Sequence, residues 1–295
     1  MVKKQADQNQ LMKRASLASV CVAATLIILK IGVFALTGSV AILSVLFDSV
    51  QDMMTSAVNF VAIRYAIEPA DKRHRFGHGK AQAIGSLIQA FIITIATAFL
   101  LYESVRRLWY PRALNHVGWG IGVTVVAIVL STLLVKYQTK VIRKTGALSI
   151  KADRAHYTGD IWMNIGVIVS MEMAHVTGWA QWDSLFGIGI AVYLGIVVYR
   201  IITDSFAMLM DAELPKEFRQ QIQAIAFSFP DVKAIHDLKT RRSGNNTFVQ
   251  FCVHMDDRLT LREAHQLTDQ MEEKIRMRFP ETEVIIHPEP ERTNS

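Results

Sequence analysis

Ser44-Val45-Leu46-Phe47-Asp48-Ser49-Val50-Gln51-Asp52-Met53-Met54 sets two carboxylates four residues apart inside a long apolar run. On a helix, positions four apart share a face, one turn above the other. In a membrane each carboxylate costs roughly 3 kcal/mol to insert. Two on one face repel unless something positive lies between them. His156-Tyr157-Thr158-Gly159-Asp160 repeats the form. Together Asp48, Asp52, His156 and Asp160 supply three carboxylates and one imidazole. That is the ligand set of a tetrahedral site for a divalent transition metal, zinc above all.

Each pair has a plainer reading. Asp48 and Asp52 would be capping or loop carboxylates if the apolar run were not a span. Val40 to Leu46 and Ala57 to Ile63 flank them and argue against that. His156 and Asp160 would be a pair at the membrane surface, with Lys151, Asp153 and Arg154 close by. DxxxD and HxxxD together point to a site more strongly than either alone.

The 295 residues are 51% hydrophobic, and the mean hydropathy is +0.24. That reads as a membrane protein with an attached soluble part. The net charge of +6 reflects Lys and Arg gathered in cytoplasmic loops, and no nucleic-acid partner is expected. Cys21 lies in an apolar run and Cys252 in the soluble part, so no structural disulfide is expected. Met1 to Arg14 is polar and basic, and the first apolar run is long enough to remain as a span rather than a cleaved signal.

Six apolar segments of spanning length fall near 12–35, 40–66, 82–106, 116–137, 155–177 and 183–206. Gly38-Ser39 makes a short turn between the first two. Lys3, Lys4, Lys13 and Arg14 precede the first. Lys72, Arg73, Arg75 and Lys80 follow the second, and Lys140, Arg143, Lys144 and Lys151 follow the fourth. Both termini are therefore expected in the cytoplasm. Arg106, Arg107 and Arg112, on the opposite side, disagree with this orientation.

After Asp211 the pattern changes. Pro215 to Phe229 reads as an amphipathic helix. Val232 to Thr240 and Thr247 to Met255 alternate as strands about the turn Ser243-Gly244-Asn245-Asn246. Leu261 to Phe279 is a helix and Val284 to His287 a last strand. The expected fold is an α-helical integral membrane protein of six spans, residues 1–211. It carries a C-terminal cytoplasmic α+β domain, residues 212–295, of order αββαβ and metallochaperone-like.

Two further clusters follow from spacing. Asp71, His74 and His78 could converge in the loop after the second span, with Gly77 and Gly79 allowing a tight wrap. The alternative is a basic loop meeting anionic lipid. In the soluble part, Gln250, Cys252 and His254 share one face of a strand, opposite Phe251 and Val253. Cys252 and His254 can both meet His236 on the neighbouring strand. The alternative is scattered surface histidine.

Thr37-Gly38-Ser39-Val40 before the FDSVQD run is one of several ordered motifs. Pro69-Ala70-Asp71 with Phe76-Gly77-His78-Gly79-Lys80 is the next. Arg154-Ala155-His156-Tyr157 with Asp160, His236-Asp237-Leu238 with Thr240-Arg241, and Val284-Ile285-Ile286-His287 complete the set. Carrying these from about residue 14 to 290, the chain resembles the cation diffusion facilitator family, and within it the bacterial zinc/ferrous-iron efflux transporters. The resemblance implies a homodimeric proton/metal antiporter of the bacterial inner (cytoplasmic) membrane, embedded in the lipid bilayer, and no enzyme. It implies transport ligands at Asp48, Asp52, His156 and Asp160, and a loop site at Asp71, His74 and His78. It also implies a cytoplasmic binuclear site at His236, His265 and His287. There this chain departs from the pattern: Cys252 stands where relatives place a histidine, and Glu289 where they place an aspartate. Lys80 and Asp211 match a family charge pair that ties the protomers. Zn2+ is the expected ion, both as cargo and as regulator, with Cd2+, Fe2+ and Mn2+ as further candidates.

Two rivals stay open. An intramembrane aspartyl protease would use Asp52 and Asp160 as a dyad, although Thr158-Gly159-Asp160 lacks the longer Gly-x-Gly-Asp signature. A metal receptor would bind without transporting.

Overall fold

The computed structural model describes residues 2–37, 40–109, 118–179 and 181–291. Six long helices come first: α1 (Val2–Thr37), α2 (Val40–Ala66), α3 (Ala81–Trp109), α4 (Gly118–Thr145), α5 (Leu148–Thr177) and α6 (Trp182–Leu209). Then follow α7 (Lys216–Ala226), β1 (Val232–Ser243), β2 (Asn246–Met255), α8 (Leu261–Arg278) and β3 (Thr282–Pro290), in the expected αββαβ order. The Gly38-Ser39 turn and Pro111 lie outside the described residues, as do the side-chain surroundings of 36–48.

Among the described residues, Ala6–Ala35, Ala81–Trp109, Thr124–Thr145 and Ser184–Leu209 are long and apolar enough to cross a membrane. The helices α2 and α5 are not among these four. Stretches of both lie outside the described residues, and both carry residues of the candidate site. The discordant Arg106 and Arg107 end α3, where Glu103 lies 3.4 Å and 3.0 Å from their guanidinium nitrogens. Arg112 falls outside the described residues.

The chain forms two units. One comprises Gln8–Glu68 and Ala81–Ser205. Its surface is apolar: Phe91 and Phe99 are 66% and 67% exposed, while Ser19, Gln89, Gln138 and Asp153 are fully buried. Polar residues inside and large apolar ones outside suit a lipid solvent rather than water. Met12, Ala15, Ile63, Val141 and Ile150 pack α1, α2, α4 and α5 together. Ala90, Ala155, Val198 and Ile201 join α3, α5 and α6. The link between α4 and α5 is short because Gly146 takes a left-handed φ of 64°, and Gln82 Oε1 accepts the Leu148 N–H at 3.2 Å to cap α5.

The other unit comprises Met1–Asp7, Pro69–Lys80 and Phe206–Ser295. Its sheet has the order β1-β2-β3, with β1 and β2 antiparallel and β2 and β3 parallel. A parallel pair needs a crossover, and α8 supplies it. Val249, Phe251, Val253 and Met255 point inward and meet Met271 and Ile275 of α8 and Ile222 of α7. Gln250, Cys252 and His254 alternate to the uncovered face. The loop 69–80 belongs to this unit. A Cβ on Gly79 would strike the Ser243 backbone, and Gly244, at φ 61°, lies against Gly79. The Arg241 guanidinium lies over both the Phe76 and Phe248 rings, 4.6 Å and 4.5 Å from their centroids.

Candidate metal centres

His156 and Asp160 sit one turn apart on α5, and Asp52 faces them from α2. His156 Nε2 lies 3.0 Å from Asp52 Oδ1 and 3.7 Å from Asp160 Oδ2. One donor atom from each of the three lies within 4.8 Å of the others. Ligands held at about 2.1 Å around a tetrahedral zinc ion stand about 3.4 Å apart, so the two separations from His156 are close to edges of that tetrahedron. The Asp48 side chain lies outside the described residues.

The loop cluster is tighter. His74 Nδ1 and His78 Nε2 lie 3.3 Å and 3.4 Å from Asp71 oxygens, and 3.1 Å from each other. Local backbone chemistry sets this up. Asp71 Oδ1 accepts the N–H groups of Arg73 at 2.7 Å and His74 at 2.6 Å. Gly77, at φ 76°, turns the chain back and donates to the His74 carbonyl at 2.9 Å. The His74 backbone bond, aided by the Arg73 bond and outweighing partial burial, holds the Asp71 carboxyl below the usual aspartate range. Asp71 is thus already in the form that binds a cation.

On the outer sheet face, donor atoms of His236, Cys252 and Glu289 lie within 4.8 Å of one another. Register explains it, since His236 pairs with Cys252 across β1–β2. Glu289 Oε2 lies 3.3 Å from His236 Nε2 and 3.6 Å from His254 Nε2, and the two imidazoles are 4.8 Å apart. Both Cys252 and His254 therefore border Glu289. His287 reaches only the other Glu289 oxygen, at 3.7 Å. His265 stands apart on α8, exposed and 3.6 Å from Asp269. That helix packs on the inner face of the sheet, and His265 is not among the donors that converge at this cluster. Lys80 Nζ donates to Asp211 Oδ2 at 2.9 Å inside one chain, and Arg241 joins the same carboxylate at 3.4 Å.

These clusters sit in a chain with two matched domains. Residues 16–210 match the cation efflux transmembrane domain, and residues 214–291 match the cation efflux protein cytoplasmic domain. The chain belongs to the cation diffusion facilitator family. The cation-efflux pump FieF of Salmonella choleraesuis (strain SC-B67) is 40% identical over 282 residues, 96% of this chain and 94% of that protein. Its counterpart in Salmonella newport (strain SL254) is 39% identical over the same length. Among solved structures, the metal-bound C-terminal domain of the CzcD transporter from Thermotoga maritima is 26% identical. It covers 28% of this chain and 100% of that chain, with a TM-score of 0.26. The family is one of multi-pass membrane transporters rather than enzymes, so the protease reading of Asp52 and Asp160 falls away.

Sequence reasoning missed a polar node one turn before His156, where Ser19, Gln89 and Gln138 surround Asp153. In the sequence, Asp153 counted only with Lys151 and Arg154 as a sign that His156 and Asp160 could lie at the membrane surface. Its signal was present in the glutamines at 89 and 138 inside otherwise apolar helices, since polar groups in such helices face partners.

Proposed function

We propose that this protein exports divalent metal cations, Zn2+ foremost with Cd2+ and Fe2+ as further cargo, in exchange for protons. It would work by alternating access as a homodimer with six spans per protomer, both termini on the cytoplasmic side of the bacterial inner membrane. Residues 1–211 form the transport domain and 212–295 the cytoplasmic metal-binding and dimerisation domain. One observation carries the reading. Asp52, His156 and Asp160 from two helices bring donor atoms within 4.8 Å of one another, in the polar interior of a bundle with an apolar surface. Asp48, four residues before Asp52 in the sequence, would complete the set of four.

Metal and proton compete at such a site because its ligands coordinate only when deprotonated. His156, the one imidazole of the set, is the group suited to carry the proton. The mixed set of imidazole and carboxylates favours zinc or cadmium over manganese. The loop cluster of Asp71, His74 and His78 would hold a second ion. The cytoplasmic cluster would sense metal and tighten the dimer, with His265 and His287 completing it in the assembled pair. Family membership and the named efflux pumps among its relatives support the reading. The test is zinc flux into proteoliposomes under a pH gradient. Asp52→Ala should abolish flux while the protein still folds and dimerises; wild-type flux in that variant would sink the assignment.

A further inference from the structure

Asp153 is fully buried and takes no part in the candidate metal clusters. Asn59 of α2 and His156 of its own helix lie near it, and three other helices supply its shortest hydrogen bonds. Ser19 Oγ on α1 donates to Asp153 Oδ2 at 2.5 Å. Gln138 Nε2 on α4 donates to the same oxygen at 2.7 Å and to Ser19 Oγ at 3.1 Å. Gln89 Nε2 on α3 reaches Asp153 Oδ1 at 3.5 Å and the Thr55 carbonyl of α2 at 3.3 Å. None of these hydrogen-bonding partners carries a charge.

Tyr157 lies one turn further along the same face of α5 and is also buried, 1% exposed. Its hydroxyl donates to the Ser19 carbonyl at 3.1 Å and lies 2.9 Å from Ser56 Oγ of α2. Ser19 is thus the common partner of both α5 side chains. The polar face of α5 at 153 and 157 is fastened to α1, α2, α3 and α4. The adjoining positions, 156 and 160, carry the candidate ligands.

We propose that Asp153 is a positioning residue for the cation site. It fastens α5 in the rotation and register that present His156 and Asp160 to Asp52. Hydrogen bonds inside a low-dielectric bundle reinforce one another, and a buried carboxyl stripped of its donors is costly. The arrangement therefore has one strongly preferred setting. Turning α5 by one residue, about 100°, would break every bond of the node and carry His156 away from α2. Sub-ångström placement of ligands of this kind is what a supporting shell provides. The inference rests on the reading of Asp52, His156 and Asp160 as cation ligands.

The experiment is zinc flux in proteoliposomes with full-length protein, resolving the half-saturating zinc concentration from the maximal rate per folded dimer. Asp153→Ala should raise the half-saturating concentration at least tenfold with the maximal rate within about threefold of wild type. Asp153→Asn keeps an acceptor for Ser19 and Gln138, and should restore the concentration to within about threefold. Ser19→Ala removes a single hydroxyl and should shift it in the same direction by less, which keeps the test open if Asp153→Ala fails to fold. A purely structural residue would lower the maximal rate through loss of active protein and leave the half-saturating concentration unchanged; that outcome overturns the proposal. Asp153→Asn behaving like Asp153→Ala also overturns it, since charge rather than hydrogen bonding would then matter. Asp52→Ala is run alongside. Wild-type flux there defeats the ligand reading itself, whereas an inactive Asp52→Ala with unshifted Asp153→Ala and Ser19→Ala defeats only the role of Asp153.

Discussion

Cys252 occupies the position across β1–β2 from His236, beside Glu289. Desolvation pushes its thiol up, and the nearby Glu289 carboxylate pushes it further. The thiol therefore stays protonated through neutral pH and must release its proton to ligate. Zinc affinity of this cluster should rise with pH, by up to about tenfold per unit from this one proton. Calorimetric titration between about pH 6 and 8 checks it, using full-length protein with Asp52→Ala and His78→Ala to silence the other clusters. Cys252→Ser should flatten the slope and weaken binding more than His254→Ala does. The reverse order would make His254 the ligand and Cys252 a packing residue. At the transport site, His156→Asp keeps four potential ligands but removes the one imidazole, the member of the set that becomes cationic on protonation. It should still transport, discriminate less against manganese or iron, and show a weaker pH dependence of flux. Identical pH slopes in flux assays of wild type and variant would place the protons elsewhere.

Helix ends and close approaches are decided at the scale of elements. α8 begins with a reciprocal cap, in which Thr260 Oγ1 accepts the Glu263 N–H and Glu263 accepts from Thr260 N at 2.8 Å. Thr260→Ala should cost about 1 kcal/mol, read as an earlier unfolding midpoint in denaturant. The backbone and hydroxyl bonds from Thr260 outweigh partial burial and hold the Glu263 carboxyl below the usual glutamate range. A depressed folded-state value contributes stability above the ordinary carboxylate range, and that stability is lost as pH falls through the depressed one. Glu263→Gln should therefore flatten the acid limb of the stability profile. Between elements, a Cβ on Gly187 of α6 would meet the Ser104 side chain of α3, with Ser104 Cβ itself at 3.1 Å. Gly187→Leu should force these helices apart and lower the melting temperature in detergent by several degrees; an unchanged value would show that the contact yields freely. The αββαβ order was legible because strand alternation and helical spacing recur within ten residues. The path of loop 69–80 was not, because its seat on the β1–β2 turn depends on two glycines, Gly79 and Gly244, far apart in the chain.

At the scale of the molecule, hydropathy and local spacing sufficed for the class of protein. A chain 51% hydrophobic with ionisable pairs inside apolar runs has few stable forms other than a bundle hiding those pairs. HxxxD and the DxxHxxxH run at Asp71 each lie within a turn or two of backbone, so their members meet whenever the local structure forms. Tertiary structure alone decided the rest. Asp52 meets His156 only because α2 packs on α5, and Glu289 meets His236 only because β3 lies two strands away in register. His265 fell on α8, the helix that packs on the inner face of the sheet, although its residue type fits a metal cluster. Asp153, counted in the sequence only with Lys151 and Arg154, became the buried centre of a node drawing on α1, α3 and α4. The reason is one of range. Periodicity and hydropathy are written in adjacent residues, whereas the partner of a buried polar group is chosen by whichever helix packs against it, more than a hundred residues away for Ser19 and Asp153.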